Sequence, residues 1–191
     1  MVYIPPNTPK RRIKAGAAGV LPNFPYLAVQ LYKQQTDYTC GPASLLMAMS
    51  HFGHIPKEVT ELTLRQQMRI KKGVGVTRYW MGSIAKRYGF SVKCAKDGTL
   101  DILRSYLNKG WPCIVMYKDS PSSFHYSVVV SASPYSQTIV LADPWSRSFV
   151  QWDEQKFITS WITPRGDKAW WMAIHPDPNK KGAWHQAITT K

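Results

Sequence analysis

Cys40, followed by Gly41 and Pro42 and preceded six positions earlier by Gln34, is the part of this chain best suited to do chemistry. From Cys40 or Gly41 onward, Ala43 and the run Leu45-Leu46-Met47-Ala48-Met49 predict a mostly apolar, buried helix reaching Phe52 and ended by Gly53. A thiol at a helix N-terminus meets unpaired backbone N–H groups and the positive end of the helix dipole. Both favour the thiolate, the form that attacks a carbonyl carbon. Far downstream lie Phe124-His125-Tyr126 and Ala142-Asp143-Pro144-Trp145. An imidazole can take and return the proton, and a carboxylate at the end of the adjacent strand can hold that imidazole in one tautomer.

Each of these residues also has a plainer reading. Most free cysteines are small buried apolar groups. Cys40 is set apart by its place before Gly-Pro at a helix start, whereas Cys94 and Cys113 lie in strand patterns and read as core. His125 is the histidine followed by an apolar strand, Val128-Val129-Val130, and then by an Asp-Pro turn. His51 and His54 flank Gly53 at a helix end, and His175 and His185 adjoin the C-terminal tail. Asp143 reads either as the group that orients His125 or as an ordinary turn residue before Pro144. Trp145 either shields an Asp–His contact from water or caps the core. Gly41 would let a substrate backbone approach closely, and Pro42 suits a first helical turn, where no N–H is needed. Asp37 reads as a turn residue.

Gln-x5-Cys-Gly-Pro-Ala-Ser, then His on one strand and Asp-Pro-Trp after the next, resembles the papain-like double-glycine peptidases that process bacteriocin leader peptides, over about residues 26–175. The resemblance implies a cysteine peptidase acting through an acyl-enzyme, with a protein or peptide as substrate. It makes Cys40 the nucleophile, His125 the general base and acid, Asp143 the residue that orients His125, and Gln34 an oxyanion donor beside the Cys40 backbone N–H. Gln35 is a rival one residue out of step, and the family spacing favours Gln34. The implied chemistry needs no metal and no cofactor. Well-known members are fused to a membrane transporter, and nothing of that kind is present in these residues.

At 191 residues the chain suits one domain with a real core, and its eight Trp and ten Tyr make it rich in aromatics. No apolar run approaches the ~18 residues that span a bilayer, so no transmembrane segment is expected. Met1-Val2-Tyr3-Ile4-Pro5-Pro6 lacks a basic start followed by an apolar core, so no secretory signal is expected either. Synthesis in the cytoplasm follows, with association with a virion or export by a non-classical route left open. Three cysteines without framework spacing argue against a disulfide scaffold, and no Cys-x-x-Cys or His-x-x-x-His pair supports a zinc site.

The formal net charge of +14 points to polyanions or acidic partners. No Asp or Glu precedes Asp37, while Lys10-Arg11-Arg12, Lys14 and Lys33 do; further clusters are Arg65, Arg69, Lys71 and Lys72, and Lys180-Lys181. Alternatives to a free peptidase are therefore a virion- or cell-wall-associated assembly component, or a secreted effector or toxin, whose basic arms bind a polyanion or an assembly partner. A module that has lost activity, and a soluble protein whose charge merely follows its proteome, also remain open.

The elements that must position these residues follow from pattern. Residues 1–25, punctuated by Pro and Gly, read as an extended basic arm, 26–175 as the catalytic domain and 176–191 as a tail. A short strand is expected over 26–32, helices over 57–70, 78–88, 99–108 and 153–161, and strands over 90–94, 112–117, 125–133, 138–142, 148–152 and 170–175. Gly73-Val74-Gly75-Val76 reads as a flexible connection and Thr77 as an N-cap. Helices first and antiparallel strands second is an α+β order. It is also the papain-like arrangement, in which an N-terminal helical half carries Cys and a C-terminal antiparallel sheet half carries His and Asp.

Overall fold

The computed structural model describes residues 27–53 and 55–180. The arm over residues 1–25, His54 and most of the tail lie outside the described residues. The elements are α1 (Cys40–Ser50), α2 (Glu61–Gln67), α3 (Arg78–Arg87), β1 (Phe90–Ala95), α4 (Leu100–Asn108), β2 (Cys113–Ser120), β3 (Ser123–Ser133), β4 (Thr138–Asp143), β5 (Ser148–Asp153), α5 (Glu154–Ser160) and β6 (Trp171–Pro176). The strands form one antiparallel sheet in the order β1-β6-β2-β3-β4-β5. The class is α+β, as the order of patterns predicts.

Alternation along the central strands builds two cores. Ile114, Met116, Tyr126, Val128, Val130, Val140, Ala142, Met172 and Ile174 face α1, α2 and α3. Cys113, Val115, Tyr117, Val129, Ile139, Leu141 and Ala173 face α4 and α5. Strands buried on both faces need cover on both. That is why α4 and α5 lie across the sheet from α1.

Several local expectations change. Residues 27–34 form no strand. Leu27 donates one hydrogen bond to Val130 O at 2.8 Å, but β3 is already flanked by β2 and β4, so no free edge is left for another strand. The segment is tied instead to the end of α1, through Gln30 N–H to Ser50 Oγ at 2.7 Å and Ala28 O to His51 Nδ1 at 2.9 Å. Helix α2 is shorter than residues 57–70 because Thr60 and Thr63 make a capping box at its start. It stops at Met68, and Arg69 follows with φ 53°. Thr77 precedes α3 with an extended backbone, but its side chain makes no cap hydrogen bond. Cys94 is exposed on β1, an edge strand, and so is not core; Cys113 is buried. Strand β6 extends through Pro176.

Candidate active site

Cys40 is the first residue of α1 and is 93% buried, its exposure being 7%. Thr39 occupies the N-cap position but gives the helix no side-chain cap, and the first turn carries no acid. The Thr39 hydroxyl is used by the preceding loop, accepting Thr36 N–H at 3.1 Å and pairing with Thr36 Oγ1 at 3.0 Å. The helix N-terminus therefore faces Cys40 without a competing side chain.

Gly41 is required for packing. A Cβ on Gly41 would lie 2.1 Å from Val76 Cγ1 and 3.2 Å from the Met81 sulfur. Val76 is buried, so the connection over residues 73–76 ends in a residue pressed against the start of the catalytic helix. Tyr126 holds it there by donating its hydroxyl proton to Val76 O at 3.2 Å.

His125 and Asp143 come together through the register of β3 and β4. The pair Val128↔Ala142 places Asp143 beside Ser127, diagonal to His125 on the same face. His125 Nε2 and Asp143 Oδ1 are 2.7 Å apart. Asp143 also accepts Trp145 N–H at 2.9 Å, Ser146 N–H at 3.4 Å and the Ser146 hydroxyl at 2.9 Å. The Asp143-Pro144-Trp145-Ser146 turn thus locks the carboxylate from its far side. Trp145 contributes through its backbone N–H and is 60% exposed, so it does not cap the core.

Burial opposes ionisation of Asp143. The hydrogen bond and charge of His125 and the donors from Trp145 and Ser146 outweigh it and hold the carboxyl below its usual 3.8. Burial likewise disfavours the His125 imidazolium. Hydrogen bonding and charge from Asp143 and Cys40 prevail, and the His125 pKa rises from 6.5 to about 9. Asp143 occupies Nε2, so Nδ1 is the ring nitrogen left for another partner. Tyr117 packs edge-on against the imidazole, centroids 5.8 Å apart, and its hydroxyl pairs with Ser127 Oγ at 3.1 Å.

Gln34 is buried, with 5% exposure, while Gln35 is exposed. Gln34 Nε2 donates to Thr36 O at 2.7 Å, and Gln34 Oε1 has no partner among the described residues. A primary amide carries two N–H groups, so one donor remains. The Gln34 backbone N–H reaches Pro144 O at 2.9 Å and couples this loop to the turn that holds Asp143. Gln35 is bound only through its backbone, donating to Glu61 Oε1 at 2.9 Å. Glu61, Val76, Tyr126 and Ser146 support the site and were not singled out by sequence. Ser146 alone had a local signal, the Asp-x-x-Ser turn spacing. Among the described residues no group of three or more His, Cys, Asp or Glu side chains is arranged to hold a metal ion, and no helix is long and apolar enough to cross a membrane.

A papain-like thiol-hydrolase fold is thereby defined, and the profile of the Peptidase_C39 like family matches residues 26–168. This chain belongs to that family and is a cysteine peptidase. It is similar in fold to the peptidase domain of Streptococcus ComA, a bi-functional ABC transporter involved in quorum sensing. That likeness has a TM-score of 0.64 at 22% identity over 78% of this chain and 100% of that one. It is also similar to a double glycine motif protease from an AMS/PCAT transporter, solved with its leader peptide, at TM-score 0.59 and 18% identity over 81% and 96% of the two chains. A Bacillus anthracis protein described as a C39-like peptidase gives TM-score 0.60 at 15% identity over 77% and 94%. No curated protein sequence matches the chain.

Proposed function

We propose that the chain hydrolyses a peptide bond by a Cys40-His125-Asp143 triad, with Gln34 and the Cys40 backbone N–H as oxyanion donors. The observation that carries this reading is a single imidazole bound at Nε2 by a locked carboxylate and raised to about 9 by that carboxylate and Cys40 together. At neutral pH the proton then resides on His125. The Cys40 sulfur attacks the substrate carbonyl, and the oxygen of the tetrahedral intermediate takes hydrogen bonds from Gln34 and the Cys40 N–H. As the C–N bond breaks, His125 gives its proton to the leaving amine and a thioester remains. Water then attacks the thioester, His125 takes the water proton, and the acid product leaves with the sulfur restored as thiolate.

The substrate class is a peptide segment cut after a pair of glycines. Its support is family membership and the likeness to a protease solved with a leader peptide. The test is mass spectrometry of glycine-pair peptides incubated with the wild type, Cys40→Ala, Gln34→Ala and Gln35→Ala. Cleavage is expected to vanish with Cys40→Ala. It should fall about 10²–10³-fold with Gln34→Ala and change little with Gln35→Ala. Undiminished cleavage by Cys40→Ala would refute the nucleophile. Greater damage from Gln35→Ala than from Gln34→Ala would reverse the oxyanion assignment.

A further inference from the structure

The face of the sheet that carries His125 holds a buried group that the proposed triad does not use. Tyr117 on β2 stands directly opposite His125 on β3, and the Val128↔Ala142 pairing sets Ser127 opposite Asp143. Tyr117, His125, Asp143 and Ser127 are therefore neighbours on one face of three adjacent strands. Contacts run along three sides of this square. The Tyr117 ring meets the imidazole edge-on, centroids 5.8 Å apart and planes 86° apart. His125 Nε2 lies 2.7 Å from Asp143 Oδ1, and the Tyr117 hydroxyl lies 3.1 Å from Ser127 Oγ.

Tyr117 is itself held on its other sides. It is 4% exposed, and its ring packs on Trp152 of β5 at 5.3 Å and on Phe157 of α5 at 6.1 Å. Burial pushes its hydroxyl well above the usual 10, so near neutral pH it is a phenol with neither charge nor loose proton to offer. What it offers His125 is a fixed wall. A hydrogen bond to one carboxylate oxygen places Nε2 but leaves the imidazole free to rock about that contact. Rocking sweeps Nδ1, the nitrogen that must face Cys40 in the proposed triad, through an arc.

We infer that Tyr117 is a positioning residue for His125. Its ring, backed by Trp152 and Phe157 and tied to Ser127, sets the plane of the imidazole, so that Nδ1 points at Cys40 while Nε2 stays on Asp143. The inference rests on the proposed triad for its catalytic consequence; the restraint on the ring is measurable without any substrate. That measurement is proton NMR on the full chain, read at the downfield signal of the His125 Nε2–H held by Asp143 and assigned by its loss in His125→Ala. Activity is read separately, as kcat and KM on a glycine-pair peptide.

In Tyr117→Met, a flexible chain fills the space without a rigid face. The signal should broaden or vanish, and kcat should fall about 10²-fold with KM little changed. Tyr117→Phe keeps the ring and its backing, so it should keep the signal and restore most of kcat. Leu103→Ala, a loss from the same apolar layer on α4, should melt lower yet keep both readouts. In the unaltered chain the two rings should show cross-relaxation between their protons. Absence of that cross-relaxation overturns the positioning role. So does a signal or kcat that survives Tyr117→Met, a Tyr117→Phe chain as damaged as Tyr117→Met, or equal losses in Leu103→Ala. A wild type that gives the signal and cleaves no glycine-pair peptide overturns the substrate reading instead, and the NMR arms then decide the role of Tyr117.

Discussion

Replacing Asp143 with asparagine should move the alkaline limit of activity. The rise of His125 from 6.5 to about 9 amounts to roughly 3 kcal/mol in favour of the imidazolium, on the order of 1.4 kcal/mol per tenfold change. Burial works against this, so Asp143 and Cys40 together supply more than the net. Asparagine keeps a carbonyl oxygen for His125 and Trp145 N–H but removes the charge. It also sets an NH₂ where the Ser146 hydroxyl and N–H now donate, 2.9 and 3.4 Å from the carboxylate. Turning the amide to relieve that donor conflict would present its NH₂ to His125 Nε2, so the imidazole loses its charge partner and then its fixed tautomer, and kcat should fall by up to ~10⁴.

The sign follows from which form works. Leaving-group protonation needs the imidazolium, so wild-type kcat/KM should decline as pH rises through about 9. In Asp143→Asn that decline should move toward 6.5. The same raised pKa stabilises the fold fully below 6.5, and this contribution is lost as pH rises through about 9. A pH series of kcat/KM on a cleavable peptide, paired with melts across that window, reads both effects. An unmoved alkaline limb in a folded Asp143→Asn protein would refute the idea that Asp143 holds the proton on His125.

Iodoacetamide should label both Cys40 and the exposed Cys94 and spare Cys113, whose thiol burial pushes far up; only Cys40 labelling should cost activity, as peptide mapping against residual turnover would reveal. Gly41→Ala drives a methyl to 2.1 Å from Val76 Cγ1 and should cost about 1–3 kcal/mol. Adding Val76→Ala should recover part of that loss in chemical denaturation, and no recovery would locate the clash elsewhere. Deleting residues 1–24, which contain Lys10, Arg11, Arg12 and Lys14 and no acid, should preserve cleavage of a small peptide and weaken salt-sensitive association with polyanions. Loss of peptide cleavage would make the arm part of the catalytic fold.

Legibility in the sequence tracked how local each cause was. The run after Cys40 shows its helix because its burial is nearly complete; the helix stops at Ser50, short of the expected Phe52, and Gly53 follows with φ 144°. The strands from β2 to β6 show because alternation and β-branched residues are local signals. Cys94 misleads because a strand pattern does not tell edge from centre; only the pairing of β1 with β6 alone does. The expected strand over residues 26–32 fails for a related reason, since β3 has both neighbours already. The packing role of Gly41 was hidden because the residue that fills its space, Val76, lies 35 positions away within an apparently flexible connection. Glu61 and Tyr126 escaped notice for the same reason: they act through long-range hydrogen bonds, Glu61 to Gln35 N–H and Tyr126 to Val76 O and the Ser44 hydroxyl.

Those long-range bonds explain how Cys40 on a helix and His125 on a sheet, the proposed nucleophile and base, keep register. Ser44, one turn into α1, donates its hydroxyl to Tyr126 O at 3.0 Å, so the catalytic helix is pinned to the residue after His125. Tyr126 in turn pins Val76, and Val76 presses on Gly41, which closes a loop around Cys40. On the other side, Gln34 N–H holds Pro144 O, so the loop carrying the proposed oxyanion donor is fastened to the turn that fixes Asp143. Each proposed catalytic group is thereby referenced to a partner elsewhere in the fold, through the Ser44 and Tyr126 hydroxyls and the Val76 side chain as well as through the backbone bond from Gln34 to Pro144. Positional error in such a site is set by these cross-layer ties more than by the triad contacts. It follows that Ser44→Ala, which touches no substrate, should lower kcat with KM little changed. Restoring a hydroxyl with Thr should recover activity only if the added methyl fits the buried site.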